Sequence, residues 1–400
     1  MVINENIKTQ IIGEYDVAVC GGGFAGISAA LAAARNGSKV VLFEKQYMLG
    51  GLGTAGIVTI YLPLCDGYGR QISYGIAEEL LRLSIVHGAE DLYPENWLDG
   101  IGTKTENDKR FGVQYNAQLF AILAEDLLLK EGVEIMYGTY VVNTQVKNQK
   151  INCLITENKS GRMGYNVKSV VDATGDCDIA HFAGAPTREF KQGNPLAAWY
   201  YGASKNGYKL NMIGHCDIPD EDKKAGVYQP KPLTARRFSG LDGKELSEMM
   251  CLSHKSTYAD FLKKRQTDSE LFPVTIATIP QIRMTRKIAG EYELSHTEEH
   301  KYFEDSVGMV SNWKKRGPVY EVPFASLYSS AVKNLICAGR CISSSETMWD
   351  IMRVIPCCAV TGQAAGTAAS MTNDFTTISI KELQKRLCES GVVIHKSDIS

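Results

Sequence analysis

No uninterrupted apolar run in this chain is long enough to cross a bilayer, which argues against a helical membrane anchor and against membrane as a partner. A long basic run is also missing. With a net charge of −2, nucleic acid is not an expected partner either. The first ten residues, MVINENIKTQ, carry neither the basic n-region nor the apolar h-region of an export signal. The eleven cysteines are odd in number and scattered, several of them inside apolar runs. Together these features predict reduced thiols in a cytoplasmic protein. No fixed period points to a solenoid or a propeller. A length of 400 residues predicts two domains, or one large domain with an insertion.

What the chain does have is concentrated between Tyr15 and Gly56, YDVAVCGGGFAGISAALAAARNGSKVVLFEKQYMLGGLGTAG. A short apolar run, Asp16 to Cys20, ends in Gly21, Gly23 and Gly26. A helical pattern follows, then a second apolar run, Lys39 to Phe43, which ends in Glu44 and Lys45. This strand–turn–helix–strand order is that of the unit that binds the ADP half of a dinucleotide. Gly21 permits the tight turn, Gly23 lets backbone approach the pyrophosphate, and Gly26 lets helix and strand pack closely. The helix N-terminus presents N–H groups to the phosphates. Glu44 stands where a carboxylate accepts ribose hydroxyls. A lone G-x-G-x-x-G is weak; here strand, helix, second strand and acid agree.

Further along, Gln46 to Gly56 reads as a Gly-rich loop lying close to a ligand. Ser73–His87 and Tyr115–Lys130 read as helices, and Val133–Tyr137 as a strand. Runs near Thr139–Val146, Ile151–Glu157 and Tyr165–Val171 read as an antiparallel meander. The meander enters VVDATGDCDIAHFAGAP, where Ala173, Thr174, Gly175 and Asp176 form a second place for backbone to approach a ligand. From Thr187 to about Val319 the pattern is mixed, with a helix expected over Lys244–Arg265 and a strand over Val274–Ile279. It reads as a separate cap or substrate lobe. An α/β pattern returns at NLICAGRCISSS, and the last clear helix is expected to begin near Pro356. The fold class predicted is α/β: a Rossmann-like dinucleotide domain with a β-meander, over 1–186 and 331–400, and an inserted α+β substrate or cap lobe over 187–330.

The order of these motifs resembles the FAD-dependent oxidoreductases of the glutathione reductase and fumarate reductase fold group, and within it a bacterial group of FAD-dependent oxidoreductases. The residues that carry the resemblance are the N-terminal glycines, Gly50–Gly56 as GG-x-x-T-x-G, and Val171–Asp176. Ile282–Arg286 matches I-R-x-x-R, Ala338–Ser343 matches A-G-R-C-I-S, and Arg353–Pro356 with Gly362–Ala369 closes the chain. The resemblance implies an enzyme that uses FAD to oxidise or reduce a small molecule. It implies that Gly21, Gly23 and Gly26 line the pyrophosphate and that Glu44, with Lys45, lies at the ribose. Gly51 and Thr54 are implied near the ribityl chain or flavin. Ala173, Thr174, Gly175 and Asp176 are implied on the adenine or pyrophosphate side, with Gly339 and Arg340 at the second approach to the phosphates. The helix after Pro356 is implied to point at the flavin pyrimidine. Two departures matter. No Cys-x4-Cys pair follows Glu44, so the dithiol of disulfide reductases is missing. No His lies between Glu44 and Thr59, which favours non-covalent FAD.

Three arginines are the candidates for chemistry. Arg283 and Arg286 either grip an anionic substrate or polarise a carbonyl, or they pair structurally with the acid-rich stretch Glu291–Asp305. Arg353 precedes the flavin-facing helix, with phosphate contact or packing as the alternative. Cys337, Cys341, Cys357 and Cys358 cluster in sequence but fit no iron–sulfur spacing. His296 and His300 match H-x-x-E-H, yet the stretch reads as a solvated acidic surface, so no metal is expected. The function expected is hydride transfer between a small anionic or carbonyl-containing substrate and flavin N5, with a second partner exchanging electrons with the flavin. The rivals are a biosynthetic dinucleotide-binding protein of the thiazole-forming kind and a flavoprotein subunit of an electron-transfer complex. The sequence leaves the oligomeric state open.

Overall fold

The protein was examined as a computed structural model, which describes residues 2–87, 112–214 and 232–399. The chain opens with strand β1 (Gln10–Cys20), helix α1 (Phe24–Arg35) and β2 (Val40–Phe43). Then come β3 (Ile60–Tyr61), α2 (Ile76–Ile85), β4 (Val113–Gln114), α3 (Ala117–Lys130) and β5 (Glu134–Met136). The meander is β6 (Tyr140–Lys147), β7 (Lys150–Asn158) and β8 (Gly161–Asp172), followed by the short α4 (Asp178–Phe182). Next are β9 (Thr187–Glu189), β10 (Tyr200–Ser204), β11 (Gly207–Asn211), α5 (Gly243–Arg265), β12 (Phe272–Ile276) and β13 (Arg286–Ile288). The chain closes with β14 (Ser306–Ser311), β15 (Val319–Pro323), β16 (Leu335–Cys337), α6 (Glu346–Met352), α7 (Ile355–Met371) and α8 (Ile380–Glu389).

The main sheet has the order β5-β2-β1-β8-β7-β6, with β16 also on β8. β8 does two jobs. Its first half pairs antiparallel with β7, and its second half is the middle of a parallel set with β1 and β16. Alternate residues serve opposite faces, as the pleat requires. Val17, Val19, Val40, Leu42 and Val171 face one core, while Ala18, Cys20, Val41, Phe43 and Val170 face the other. Three parallel pairings end level, with Cys20 opposite Phe43 and opposite Asp172, and Cys337 opposite Asp172.

α1 and α7 lie against each other on one face of this sheet, and both are buried on nearly every side. Small residues allow it. A Cβ added to Gly362 would lie 2.3 Å from the Ala25 carbonyl oxygen, and one added to Gly366 would lie 2.1 Å from that of Ala29. These backbones touch without room for a methyl group.

Two expectations change. The helix expected near Pro356 is α7, and a further helix, α8, follows it, capped by Ser379, whose hydroxyl accepts from Glu382 N at 3.3 Å. It escapes notice because its apolar stripe is short, Ile380, Leu383 and Leu387 among charged residues, with only the two leucines fully buried. The expected lobe of 187–330, of which 215–231 lie outside the described residues, does not share one core. Small clusters form around Trp199, Tyr201 and Ala277 and around Phe238, Met249 and Ile282. Leu294, Phe303, Val310, Tyr320 and Leu327 instead join the large core with α1 and α7. The reason is β14 and β15, whose residues are buried along their whole length. No helix among the described residues is long and apolar enough to cross a membrane.

Gly366→Ala tests the α1–α7 contact. Helix propensity alone favours the change by about 1 kcal/mol, but forcing a methyl group onto the Ala29 carbonyl is expected to cost about 1–3 kcal/mol or more. A lower midpoint in denaturant unfolding is the expected result. A raised one would mean that the helices are not in contact.

Candidate cofactor and active site

Because the parallel strands end level, the residues that follow them form one rim: Gly21 after β1, Glu44 after β2, Ala173 after β8 and Ala338 after β16. Open α/β sheets bind ligands outside the carboxyl ends of their strands. Each glycine there has a different reason. Gly21 has φ +104°, and a Cβ on it would lie 2.4 Å from the Ala173 carbonyl oxygen. A Cβ on Gly26 would lie 1.8 Å from the Gly21 carbonyl oxygen, so helix and strand meet through that hydrogen. Gly23 differs: a Cβ there meets nothing within 4 Å. Its side faces open space rather than protein.

Glu44 is buried, with Oε2 accepting from Gly22 N at 2.6 Å and Oε1 from Gln46 N at 2.7 Å. Burial pushes its carboxyl up, against the pull of those N–H donors. Each oxygen keeps a lone pair for further donors. The Gly50–Gly53 loop is laid along the turn by the Gly50 N donation to Gly22 O at 2.8 Å. A Cβ on Gly51 would sit 3.3 Å from the Gly23 Cα. Thr54 was expected near the ribityl chain. Its hydroxyl instead donates to Leu49 O at 2.5 Å, and the residue is buried, so it pins the loop from inside.

At the second turn, Asp172 is fully buried. Its Oδ1 accepts from Thr174 N at 3.1 Å and Thr174 Oγ1 at 2.7 Å, and its Oδ2 from Ala180 N at 3.0 Å. The Thr174 hydroxyl is therefore committed to the turn. Gly175, at φ +81°, passes beneath Arg340, whose Nε would be 2.5 Å from a Cβ there. Asp176 pairs with Arg340 Nη2 at 3.3 Å and with Lys45 Nζ at 4.0 Å. Gly339, at φ +67°, donates its N–H to Thr361 Oγ1 on α7 at 2.9 Å.

The segment Gln281–Arg286 is stitched across this rim. Gln281 Nε2 donates to Gly56 O at 2.5 Å, while its Oε1 accepts from Trp199 N at 3.0 Å. Arg340 Nη1 donates to Ile282 O at 2.6 Å and Arg283 O at 3.1 Å. Thr285 Oγ1 donates to Asp176 Oδ1 at 2.9 Å. Arg286 pairs with neither a substrate face nor Glu291–Asp305. Its Nη2 donates to Asp178 Oδ1 at 2.8 Å and its Nε to Asp176 O at 3.1 Å, so it ties β13 to the second turn. Burial, then Asp176 and Asp172, push the Asp178 carboxyl up to about 6. Arg283 is buried with its guanidinium 5.4 Å from the Trp199 ring. Trp199, Tyr200 and Tyr201 are all buried, and Tyr201 reaches Thr59 Oγ1 at 2.5 Å, so these aromatics close the seam between lobe and rim.

α7 begins after Val354 with no side-chain cap and with Pro356 in its first turn. Arg353, just before it, donates from Nε to Asp350 Oδ1 at 2.8 Å, and Lys314 pairs with the other Asp350 oxygen. The sequence reading passed over Gly22, Asp172, Gln281, Asp350 and Lys287. Asp172 had a visible signal, a carboxylate directly after Val170 and Val171 at the end of a strand-like run. Gln281 and Asp350 had none, since their partners lie far away in the chain. His300 Nδ1 contacts Lys396 Nζ at 3.1 Å, and the His296 carbonyl accepts from the Tyr320 hydroxyl at 3.1 Å.

A level rim of strand ends, two glycine turns and a buried acid define an α/β dinucleotide-binding flavoprotein class. The chain belongs to the FAD dependent oxidoreductase family, whose model matches residues 16–198 and 242–387. It is an FAD-dependent oxidoreductase, and FAD is its cofactor. A thioredoxin reductase of Ureaplasma parvum serovar 3 is 35% identical over 79 residues, 19% of this chain and about a quarter (26%) of that protein. Among solved structures, the p-nitrophenol 4-monooxygenase of Pseudomonas putida DLL-E4 is 13% identical and has a TM-score of 0.46, with 95% of this chain and 84% of that one covered. A geranylgeranyl bacteriochlorophyll reductase-like protein of Thermoplasma acidophilum is 13% identical at a TM-score of 0.45, with 97% and 94% covered.

The residues present fit FAD. The open side of Gly23 leaves space where a pyrophosphate needs it, and Glu44 is held rigid with lone pairs to spare for a ribose. Gly23→Val is therefore expected to abolish FAD binding and leave the unfolding midpoint of the apoprotein within about 0.5 kcal/mol of the wild type. Gly21→Ala, which strikes Ala173, is expected to lower both. Absorbance at the flavin band and denaturant melts separate the two. Normal flavin content in Gly23→Val would place the nucleotide elsewhere.

Lys287 yields a pH prediction. It is buried 4.8 Å from the Trp349 ring and donates to Ser344 O. Burial pushes its amine down to about 8, from 10.5 in the unfolded chain. Between these values the unfolded chain binds more protons, so this residue's contribution rises with pH from 8 to 10.5 and is lost as pH falls through 8. Wild type minus Lys287→Met stability is expected to climb over that window, by up to about 3 kcal/mol. A flat difference would mean that the amine titrates normally.

Proposed function

We propose that this enzyme transfers hydride between a small anionic or carbonyl-containing organic substrate and the flavin, in the cytoplasm, with a second small redox partner returning the flavin to its starting state. The FAD is held without a covalent bond, since no histidine stands between Glu44 and Thr59. When bound, FAD supplies a two-electron acceptor or donor. The protein's residues do the rest. Gly21, Gly23 and the α1 N-terminus hold the pyrophosphate, Glu44 takes ribose hydroxyls, and the Gly50–Gly53 and Gly339 backbones approach the remainder.

The observation that carries the substrate reading is the start of α7. A 17-residue helix opens without a side-chain cap directly after Arg353, beside the Gly339 loop. Its N–H groups and dipole favour negative charge, whether on a substrate carboxylate or on an oxygen that gains charge during reduction. Trp199, with Arg283 over its ring, and Tyr201 pack with Ile57 into an apolar wall that keeps water from the seam. Arg286 acts as a positioning residue for the Asp176 turn.

An anaerobic screen of small metabolites against the flavin absorbance tests this. Carboxylates or carbonyl compounds are expected to bleach or reoxidise the flavin, and Arg353→Met is expected to weaken that response at least about tenfold at unchanged flavin content. A response confined to uncharged compounds without a carbonyl would overturn the reading.

A further inference from the structure

Three fully buried thiols surround Asp172 where β8 and β16 end: Cys177, Cys337 and Cys341. Sγ of Cys177 lies 3.9 Å from Sγ of Cys337, and Sγ of Cys341 lies 3.9 Å from Asp172 Oδ1. Donor atoms of Asp172, Cys177 and Cys337 all lie within 4.8 Å of one another. Cys341 lies beside this group rather than within it, its Sγ accepting from Cys177 N at 3.2 Å.

Two further facts suggest a cation here rather than idle packing. Asp172 is wholly buried, and among the described residues its partners are Thr174, the backbone N–H groups of Ile179 and Ala180 at the start of α4, and Cys341, none of them a cation. A buried carboxylate is costly without a compensating positive charge. Cys177 also holds a left-handed backbone, φ 56° and ψ 37°, uncommon for a residue that carries a side chain. That conformation keeps its thiol turned inward to Cys337.

We propose that Asp172, Cys177 and Cys337, with Cys341 as fourth donor, form a structural site for a thiophilic divalent cation, Zn²⁺ by its chemistry. Tetrahedral bonds of about 2.3 Å keep two sulfurs about 3.8 Å apart, close to the spacing already present. Each thiol gives up its proton as the metal binds, and one Asp172 oxygen turns to the metal a lone pair that a hydroxyl or N–H donor now holds. The site is closed by protein, so it carries no water and does no chemistry. Its effect is to clamp the turn after β8 to the turn after β16, the two loops that reach the cofactor rim from opposite sides of one strand pair. Because it is enclosed, the metal enters during folding.

The test uses intact holoprotein produced in zinc-supplemented and, separately, cobalt-supplemented medium. Elemental analysis is expected to find about one zinc per chain. The cobalt protein is expected to show thiolate charge-transfer and intense tetrahedral d–d bands. Cys177→Ser and Cys337→Ser are expected to lose both signals, while Cys388→Ser, an exposed thiol elsewhere, keeps them. Metal retained in the two serine variants overturns the proposal, as does wild-type protein without zinc or cobalt thiolate bands. So does peptide mapping that finds Cys177 and Cys337 joined as a disulfide. If the serine variants fail to fold, wild-type metal content and the cobalt spectrum decide the matter alone.

Discussion

The structure depends on one constraint, the level ending of its parallel strands. Hydrogen-bond register sets Cys20 beside Phe43 and Asp172, and Asp172 beside Cys337. Four turns from distant parts of the chain therefore emerge at the same height. Gly21, Glu44, Ala173 and Ala338 each stand one position beyond one of these ends. A one-residue slip would send each apolar run to the wrong face and scatter the rim. The burial of both sheet faces, by α1 and α7 on one side and the meander core on the other, makes such a slip expensive.

A second level of organisation is laid on that rim. Gln281 to Arg286 runs across it, and its contacts alternate between backbone and charged side chains: Gly56, Arg340, Asp176 and Asp178. The arginines singled out in the sequence are thus held in different ways. Arg286 and Arg340 are drawn to Asp176, Asp178 and carbonyl oxygens, and they join lobe to nucleotide turn. Arg283 stacks on Trp199. A guanidinium is suited to both tasks, because its planar fork can bond several carbonyls at once or lie flat on an aromatic ring. Residue type alone does not tell these uses apart.

The local elements were legible for physical reasons. β1, α1 and β2 announce themselves by periodicity and by glycines whose geometry permits only a few conformations, and the helices ending in Lys130 and Arg265 lie within two residues of where the pattern puts them. α8 was not legible, because Ile380, Leu383 and Leu387 make a short stripe among charged residues. Nor was the division of residues 187–330, since β14 and β15 read as ordinary mixed pattern until their burial against α7 is seen.

By itself the sequence determined that this chain builds a dinucleotide rim and where the first turn, the acid and the second turn lie. Those features are encoded by neighbours within about 30 residues, through strand and helix periods and glycine stereochemistry. Tertiary structure alone decided how the charges are paired. Arg286 meets Asp178 across 108 positions, Arg340 meets Asp176 across 164, and Asp172 meets Cys341 across 169. Such pairs depend on how separate elements dock, and no local pattern records which carboxylate a given cation will reach.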